Sequence, residues 1–552
     1  MPKPTLTSMA EKVLEKRYLI RDSHGDILET PEQLFQRVAH AVAEADRLFE
    51  ANAAVEATAE VFEDAMVSLS FLPNSPCLIN AGRPPGQLAA CFVLPVEDSL
   101  DAIFQTLRDT AIIHQNGGGT GFSFSSLRPR GDMILPAYGV AGGPVSFIRL
   151  FDSATYLIDR HRVRPGANMG VLHASHPDIQ EFIRAKEEQG QLSNFNLSVA
   201  LDDAFIKCLK QGDDYSLLNP RTKATVEYRS ADGILETMAQ CAWKSGDPGV
   251  LFIDRVNRAN PTPKLGKIEA TNPCGEQPLL PYESCTLGSI NLAKVVHENG
   301  VDYSRLRDLV DLGVHFLDNV VEISRYPMRR IEEVSKNNRK IGLGVMGFAD
   351  MLILLRIPYQ SEEAIELAGN LMSFIQVCAE EASTRMGEQR GNFPAFDASV
   401  YPAAGIENRR NATVTTVAPT GTISLIAGVS SGIEPVFAFK VKRRIVDSVL
   451  EEVHPIFQRY QEEGKPISEK IFQTAWDITP EWHLKIQEAF QKHTDNAVSK
   501  TVNFPESATV ADIREAYLMA VDMEVKGITV YRDKSLPDQT IAACAVNRGE
   551  CS

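Results

Sequence analysis

The sequence predicts an α/β fold led by a helical segment, and three observations carry that prediction. Over the first seventy residues apolar positions recur at three-and-four spacing, at Val38, Val42, Ala45, Leu48 and Phe49 and again at Val61, Phe62, Ala65, Met66 and Leu69. That is the period of a helix with one buried stripe. From Phe71 onward short apolar runs alternate with Gly, Pro and Asn turns and with longer helical stretches such as 99–114 and 177–187, the alternation expected of an α/β domain. At 552 residues, 44% hydrophobic and 23% charged, the chain has ordinary globular composition and is too long for one small core. One large catalytic domain with a helical accessory domain fits that length better than several equal modules.

Taken in order, residues 1–70 read as an N-terminal helical domain opened by a capping box of Ser8 and Glu11. Residues 71–535 read as the catalytic α/β domain, and residues 536–552 as a flexible C-terminal tail carrying Cys544 and Cys551. Fifty-six basic against seventy-two acidic residues leave a charge of −16, which repels nucleic acid and anionic membrane at long range, so any phosphate must be held by local geometry. Met1-Pro-Lys-Pro-Thr5 lacks the apolar core of a signal peptide, and runs such as Met351-Leu-Ile-Leu-Leu355 are far too short to span a bilayer, so the expected location is cytoplasmic. Nine scattered cysteines suit a reducing compartment, where paired thiols cycle more often than they staple.

The most informative stretch is Asn272-Pro-Cys-Gly-Glu276, followed by Glu283-Ser-Cys-Thr-Leu-Gly-Ser-Ile-Asn291. In an extended segment alternate side chains share a face, so Asn272, Cys274 and Glu276 are expected to point together, with Pro273 holding Asn272 in β or polyproline geometry. An amide, a thiol and a carboxyl then form a candidate catalytic trio, and Cys285 offers a second thiol. The plain alternative is a buried cysteine in an irregular loop.

The loop Asn272–Glu276 with Cys285-Thr-Leu-Gly-Ser-Ile-Asn-Leu292 resembles the active-site loop of the ribonucleotide reductases, specifically their class II, adenosylcobalamin-dependent branch. The same family is resembled, in the same order, by Leu72-Pro-Asn-Ser-Pro-Cys77, Gly86-Gln-Leu-Ala-Ala-Cys-Phe-Val-Leu-Pro95, Asn116-Gly-Gly-Gly-Thr-Gly121, Gly166-Ala-Asn-Met-Gly170, Ile341-Gly-Leu-Gly-Val-Met-Gly-Phe-Ala-Asp350, Ala418-Pro-Thr-Gly-Thr-Ile-Ser424 and Gly527-Ile-Thr-Val-Tyr-Arg532. The resemblance implies a ten-stranded α/β barrel of two half-sheets, with the 272–276 loop inside it. It implies that Cys274 becomes a transient thiyl radical, that Glu276 takes the 3′-hydroxyl proton and that Asn272 hydrogen-bonds the sugar hydroxyls. It makes Cys91 and Cys285 the redox couple that supplies two electrons as it closes to a disulfide. Read alone, Cys91 in Leu88-Ala-Ala-Cys-Phe-Val-Leu94 is a buried strand cysteine.

Further implied roles follow residue by residue. Ser75, Ala90, Cys91 and Gly119 match positions that contact the nucleotide, together with the loop residues Asn272, Pro273, Cys274, Gly275 and Glu276. Pro419, Thr420, Gly421, Thr422 and Ile423 read as a phosphate cradle, since small hydroxyl residues around a glycine can open a helix and aim N–H groups at an anion; an ordinary helix cap is the alternative. Arg162 and Arg164 fall in a segment similar to the loop between a regulatory dNTP effector and the substrate base. Cys544 and Cys551 are candidates for relaying electrons from thioredoxin or a similar reductant, and a homodimer is implied by effector binding near a subunit interface. No N-terminal ATP cone is apparent.

The radical source follows partly by elimination. Catalytic subunits that take the radical from a second protein carry two adjacent tyrosines near the C-terminus, whereas Thr529-Val-Tyr-Arg532 has one. A glycyl-radical motif of the Arg-Val-Cys-Gly-Tyr type is absent, which leaves adenosylcobalamin, with no histidine nominated as its cobalt ligand. Three other readings stay open: a thiol hydrolase using Cys274, which lacks a histidine base within 272–291; a non-catalytic nucleotide binder; and a dehydrogenase resting on Gly342-Leu-Gly-Val-Met-Gly347, whose lead-in Ser335-Lys-Asn-Asn-Arg-Lys340 is no hydrophobic strand. Asn116–Gly121 lacks the ending of a P-loop and is expected to be a flexible turn beside the substrate. His173 and His176 lack a third ligand nearby and are expected to serve loop hydrogen bonding rather than a metal.

Overall fold

A computed structural model describes residues 3–134, 139–159, 166–188, 190–298, 300–445, 448–535 and 541–544. The N-terminal part is helical, with helices Ser8–Arg17, Pro31–Ala43 and Val55–Val67. The first cap differs from expectation by one residue: Thr7, not Ser8, accepts the Ala10 N–H at 3.1 Å. The reciprocal capping box instead sits at Thr30 and Gln33. The apolar stripe also breaks, because residues Glu44–Leu48 tighten into a 3₁₀ turn, whose period of three rotates Leu48 out to 67% exposure. Val61 is likewise exposed, while Val38, Val42, Phe62 and Met66 are buried against helix Tyr303–Ile323.

Ten strands form the main sheet: β1 Phe71–Pro73, β2 Cys91–Pro95, β3 Gly119–Ser123, β4 Asn168–His173, β5 Phe195–Leu201, β6 Gly249–Phe252, β7 Ser284–Asn291, β8 Ile341–Met346, β9 Thr501–Phe504 and β10 Gly527–Arg532. β2 to β6 run parallel as one half-sheet. β7 and β8 run parallel to each other, as do β9 and β10, and both pairs oppose the first half-sheet where β7 meets β2 and β10 meets β6. The ring closes through an unlabelled segment, 413–417, which bridges to β8 at Leu343 and to the approach of β9 at Val498. Segment 413–417 therefore completes the second half-sheet, and β1 adds to β7 beyond the end of β2.

The two-residue alternation of each strand separates inside from outside. On β2, Phe92 and Leu94 join the outer cluster under the helices, whereas Cys91 and Val93 join an interior cluster with Met169, Val171, Leu251, Cys285 and Ala418. Into this interior runs a hairpin of Ala270–Thr271 against Pro278–Leu279, with residues 272–277 at its tip. Gly121 on β3 makes the insertion feasible, since a Cβ there would lie 1.7 Å from the Thr271 carbonyl oxygen.

Four local expectations change. Gly342 and Gly344 lie within buried strand β8 rather than in a turn, which removes the dinucleotide-binding reading. In Asn116–Gly121 only the first three residues turn, and Gly119 onward is β3. The stretch 177–187 holds only the short helix Ile179–Ile183. In the tail expected to be flexible, Ile541–Cys544 is a strand pairing with Lys440–Ile445 and sets Cys544 opposite Lys440.

Candidate active site

The antiparallel junction of β2 and β7 places Cys91 directly opposite Cys285. Opposed residues in such a pair have Cα atoms about 4.5–5.5 Å apart, inside the roughly 4.4–6.8 Å span a disulfide bridges. Both side chains are buried and held as thiols. Burial, with the neighbouring Cys91 and Glu276 adding to it, pushes the Cys285 thiol well above its ordinary value. Cys285 is thus held as the protonated thiol.

The loop reaches this pair directly, as the Asn272 amide donates to the Cys91 sulfur at 3.2 Å. Its backbone is a tight turn and not the extended segment expected. The Gly275 N–H returns to the Asn272 carbonyl at 3.1 Å, and Gly275 takes φ +81°, where a side chain would be strained. Asn272 and Glu276 are brought together by that turn, with a side-chain hydrogen bond between them, and both are buried while Cys274 is exposed. Alternation therefore fails as the reason the trio assembles; turn closure replaces it. Cross-bonds lock the turn: the Gln277 N–H donates to the Asn272 side-chain oxygen at 2.9 Å, the Thr416 hydroxyl donates to the Glu276 carbonyl at 2.8 Å, and Asn196 donates to the Pro273 carbonyl at 2.8 Å. Asn196, Thr416 and Gln277 escaped the sequence reading because isolated polar residues in strand-like runs carry no spacing signal.

Glu276 has the electrostatics of a base. Burial raises its carboxyl to about 7, against the lowering effect of the Asn272 hydrogen bond, and its Oε2 has no partner although it is fully enclosed. An unsatisfied buried acceptor is costly, and a substrate hydroxyl would satisfy it.

The other expected positions distribute around this centre. The Ala90 carbonyl accepts the Gly119 N–H at 2.9 Å, and a Cβ at Gly119 would stand 3.0 Å from Pro273, so both residues border the loop. Ser75 opens helix Ser75–Asn80, where its hydroxyl meets the Tyr18 hydroxyl at 2.7 Å. Asn74, the cap of that helix, is tied through its N–H to the Leu287 carbonyl, two residues past Cys285. Ala418 shares the interior cluster with both cysteines, and after it Pro419–Thr422 leads into the short helix Ile423–Ala427, with Thr422 at the cap. The Thr420 hydroxyl accepts the Gly432 N–H at 2.8 Å, and Gly421 is exposed with open space beside it. His173 bonds Ser175, and His176 meets the Leu127 carbonyl. Arg162, Arg164 and Cys551, and the side chain of Cys544, lie outside the described residues.

An accessible thiol beside an enclosed carboxylate, with a dithiol one hydrogen bond away, can exchange a hydrogen atom, a proton and two electrons with one small molecule. Family models for the all-alpha domain and the barrel domain of ribonucleotide reductase match residues 5–86 and, in two stretches, 89–408 and 404–531. The chain belongs to the ribonucleotide reductase family. Proteins named vitamin B12-dependent ribonucleoside-diphosphate reductase from Thermoplasma acidophilum and Mycobacterium tuberculosis are 45% and 47% identical to it, each over 98% of this chain and 80% and 81% of their own length. A vitamin B12-dependent ribonucleotide reductase of Streptomyces coelicolor is 29% identical over 88% of the chain and 61% of its own. In this reductase the C-terminal strand β10 carries a single tyrosine, Tyr531. No helix among the described residues is long and apolar enough to cross a membrane.

Proposed function

We propose that this reductase converts ribonucleoside diphosphates to 2′-deoxyribonucleotides in the cytoplasm, with adenosylcobalamin as radical source, and thereby supplies DNA precursors. One observation carries the reading: a cross-strand thiol pair, Cys91 and Cys285, bridged by Asn272 to a loop that exposes Cys274 and encloses Glu276.

Exposure of Cys274 at the loop tip fits a radical source that docks over the loop, and Thr529-Val-Tyr-Arg532 carries one tyrosine where a relay from a second protein uses an adjacent pair. Adenosylcobalamin, when bound, supplies a carbon-centred radical by homolysis of its cobalt–carbon bond. The rest belongs to this chain. Cys274 as thiyl takes the 3′ hydrogen atom, and Glu276, with its unpartnered Oε2, takes the 3′-hydroxyl proton. Asn272 holds the sugar hydroxyls. The 2′-hydroxyl departs as water with one proton from the Cys91/Cys285 pair, the pair's other hydrogen and its two electrons form the new C2′–H bond as the sulfurs close to a disulfide, Glu276 returns its proton to the 3′ oxygen, and Cys274 returns its hydrogen atom to C3′. Ser75, Ala90, Gly119 and the 419–423 segment seat the nucleotide. Diphosphates are preferred because relatives at 45–47% identity carry that substrate in their names.

Thioredoxin or a similar dithiol protein re-reduces the couple, with Cys544 and Cys551 as the relay, and a dNTP effector acts through the segment of Arg162 and Arg164. A homodimer is supported by the helices Leu100–Gln115 and Pro144–Asp159, which expose Leu100, Phe104, Tyr156 and Leu157 on adjoining surfaces. The test is a turnover assay with purified protein, a ribonucleoside diphosphate and dithiothreitol, with and without adenosylcobalamin. Deoxyribonucleotide formed only with the cofactor supports the reading; activity that requires a separate iron or manganese subunit overturns it.

A further inference from the structure

The seam between the two half-sheets at the thiol pair is short, with only Ser284–Phe92 and Cys285–Cys91 in register. Past it the backbone adds only the Tyr282 N–H to the Val93 carbonyl at 2.7 Å and the Val93 N–H to the Glu283 carbonyl at 3.2 Å, so few backbone bonds set the register of the two sulfurs. The three residues before Cys285 are instead gripped by one segment, 330–340. The Arg330 guanidinium stacks on the Tyr282 ring at 3.9 Å. The Glu283 carboxylate takes the Lys340 ammonium at 2.7 Å, the Asn338 amide on its other oxygen, and the Leu280 N–H at 2.6 Å. The Ser284 hydroxyl meets that of Ser335 at 2.7 Å. Glu283, Asn338 and Lys340 are all buried, and the Glu283 carbonyl accepts the Val93 N–H at 3.2 Å, which is the β2 side of the seam. A buried ion pair with each carboxylate oxygen satisfied fixes geometry strongly, since a charge left alone there would be costly. None of these groups is among those assigned above to the nucleotide or its protons.

We propose that segment 330–340, centred on the Lys340–Glu283 ion pair, is a clamp that holds Cys285 in register with Cys91 and so sets how readily that couple closes to a disulfide. Glu283, Lys340 and Ser335 are positioning residues, acting through Cys285. Burial is the main effect raising the Cys285 thiol; of the ion pair, the Lys340 charge lowers it and the Glu283 charge raises it.

The inference rests on the reading that Cys91 and Cys285 cycle, and its experiment separates the two. Pre-reduced protein is equilibrated with mixtures of reduced and oxidised dithiothreitol, so that closing the pair gives two electrons and two protons to the oxidised reagent. The Cys91–Cys285 cross-linked peptide is then counted by mass spectrometry. Glu283→Gln is expected to lower the closure constant at least tenfold, about 30 mV in the couple, and to lower kcat while KM for the ribonucleotide stays unchanged. Ser335→Ala and Arg330→Gln, which remove one contact each, are expected to lower it about threefold and carry the test where Glu283→Gln fails to fold. A closure constant within twofold of wild type in folded variants, or a loss confined to KM, overturns the clamp. A wild-type protein that forms no Cys91–Cys285 disulfide after turnover overturns the parent reading instead.

Discussion

Glu276 is the residue whose environment says most about what it does. Its folded carboxyl is raised to about 7 by burial, so the protonated form is favoured in the fold. That contribution to stability is present at low pH and lost as pH rises through about 7. Two outcomes are expected. The rate of reduction rises with pH with a midpoint near 7, and Glu276→Gln removes that limb along with most activity. Relative to wild type the same variant gains stability as pH rises from about 4.5 to about 7 and levels off above that, approaching roughly 3 kcal/mol, as read by thermal melting at each pH. Cys91→Ser is expected to abolish multiple turnover with dithiothreitol while nucleotide binding by calorimetry stays intact; full turnover in that variant would remove Cys91 from the couple. At this scale the sequence singled out Asn272, Cys274, Glu276, Cys91 and Cys285 by motif, and the structure gathers them at one loop and one strand junction. The sequence read the geometry wrongly between them, because alternation along a strand does not apply to a turn closed by Gly275.

At the level of elements, the active loop is a hairpin threaded into a barrel, and β3 allows it by presenting glycine at 119 and 121. Gly121→Ala would set a methyl against the Thr271 carbonyl, backbone against backbone, where nothing flexible can yield. A loss of about 3 kcal/mol in denaturant unfolding is expected, with a matching fall in activity as the loop is displaced; near-wild-type stability would show that the hairpin sits elsewhere. Helices with a clear stripe were legible from the sequence, as in Pro31–Ala43 and Val55–Val67. The barrel strands were less so, because most are buried on both faces and lose the alternation that marks a half-exposed strand. Segment 413–417 could not be recognised at all, for it joins the ring through isolated bridges. Gly342 and Gly344 show the converse error available to a pattern: their spacing imitates a phosphate loop, yet Thr416 packs close enough to both that only glycine fits in that strand.

Across the whole molecule, the helical domain and the barrel are joined through a buried charge cluster that no motif announces. Asp318, fully buried, faces Arg339 at 2.8 Å, Arg410 at 3.2 Å and Arg390 at 3.5 Å, and Arg390 continues to Asp46 at 2.6 Å in the N-terminal part. Burial works to raise the Asp318 carboxyl, but the Arg339 and Arg410 guanidiniums outweigh it and hold it below the ordinary range. Its stabilising contribution is present above the unfolded-state value and lost as pH falls through the folded one. Asp318→Asn is expected to cost about 3–5 kcal/mol at pH 7, and less at pH 3, by chemical denaturation; an equal cost at both would mean that its charge is not what binds the cluster.

These scales meet in the proposed reduction, in which a hydrogen-abstracting sulfur at 274 and an electron pair from 91 and 285 act together. Pre-reduced protein given adenosylcobalamin and a ribonucleoside diphosphate, without any external thiol, tests it in a single turnover. The account predicts about one deoxyribonucleotide per active site, an equal amount of Cys91–Cys285 disulfide, and neither from Cys274→Ser. Product formed without that disulfide, or formed undiminished by Cys274→Ser, would contradict it.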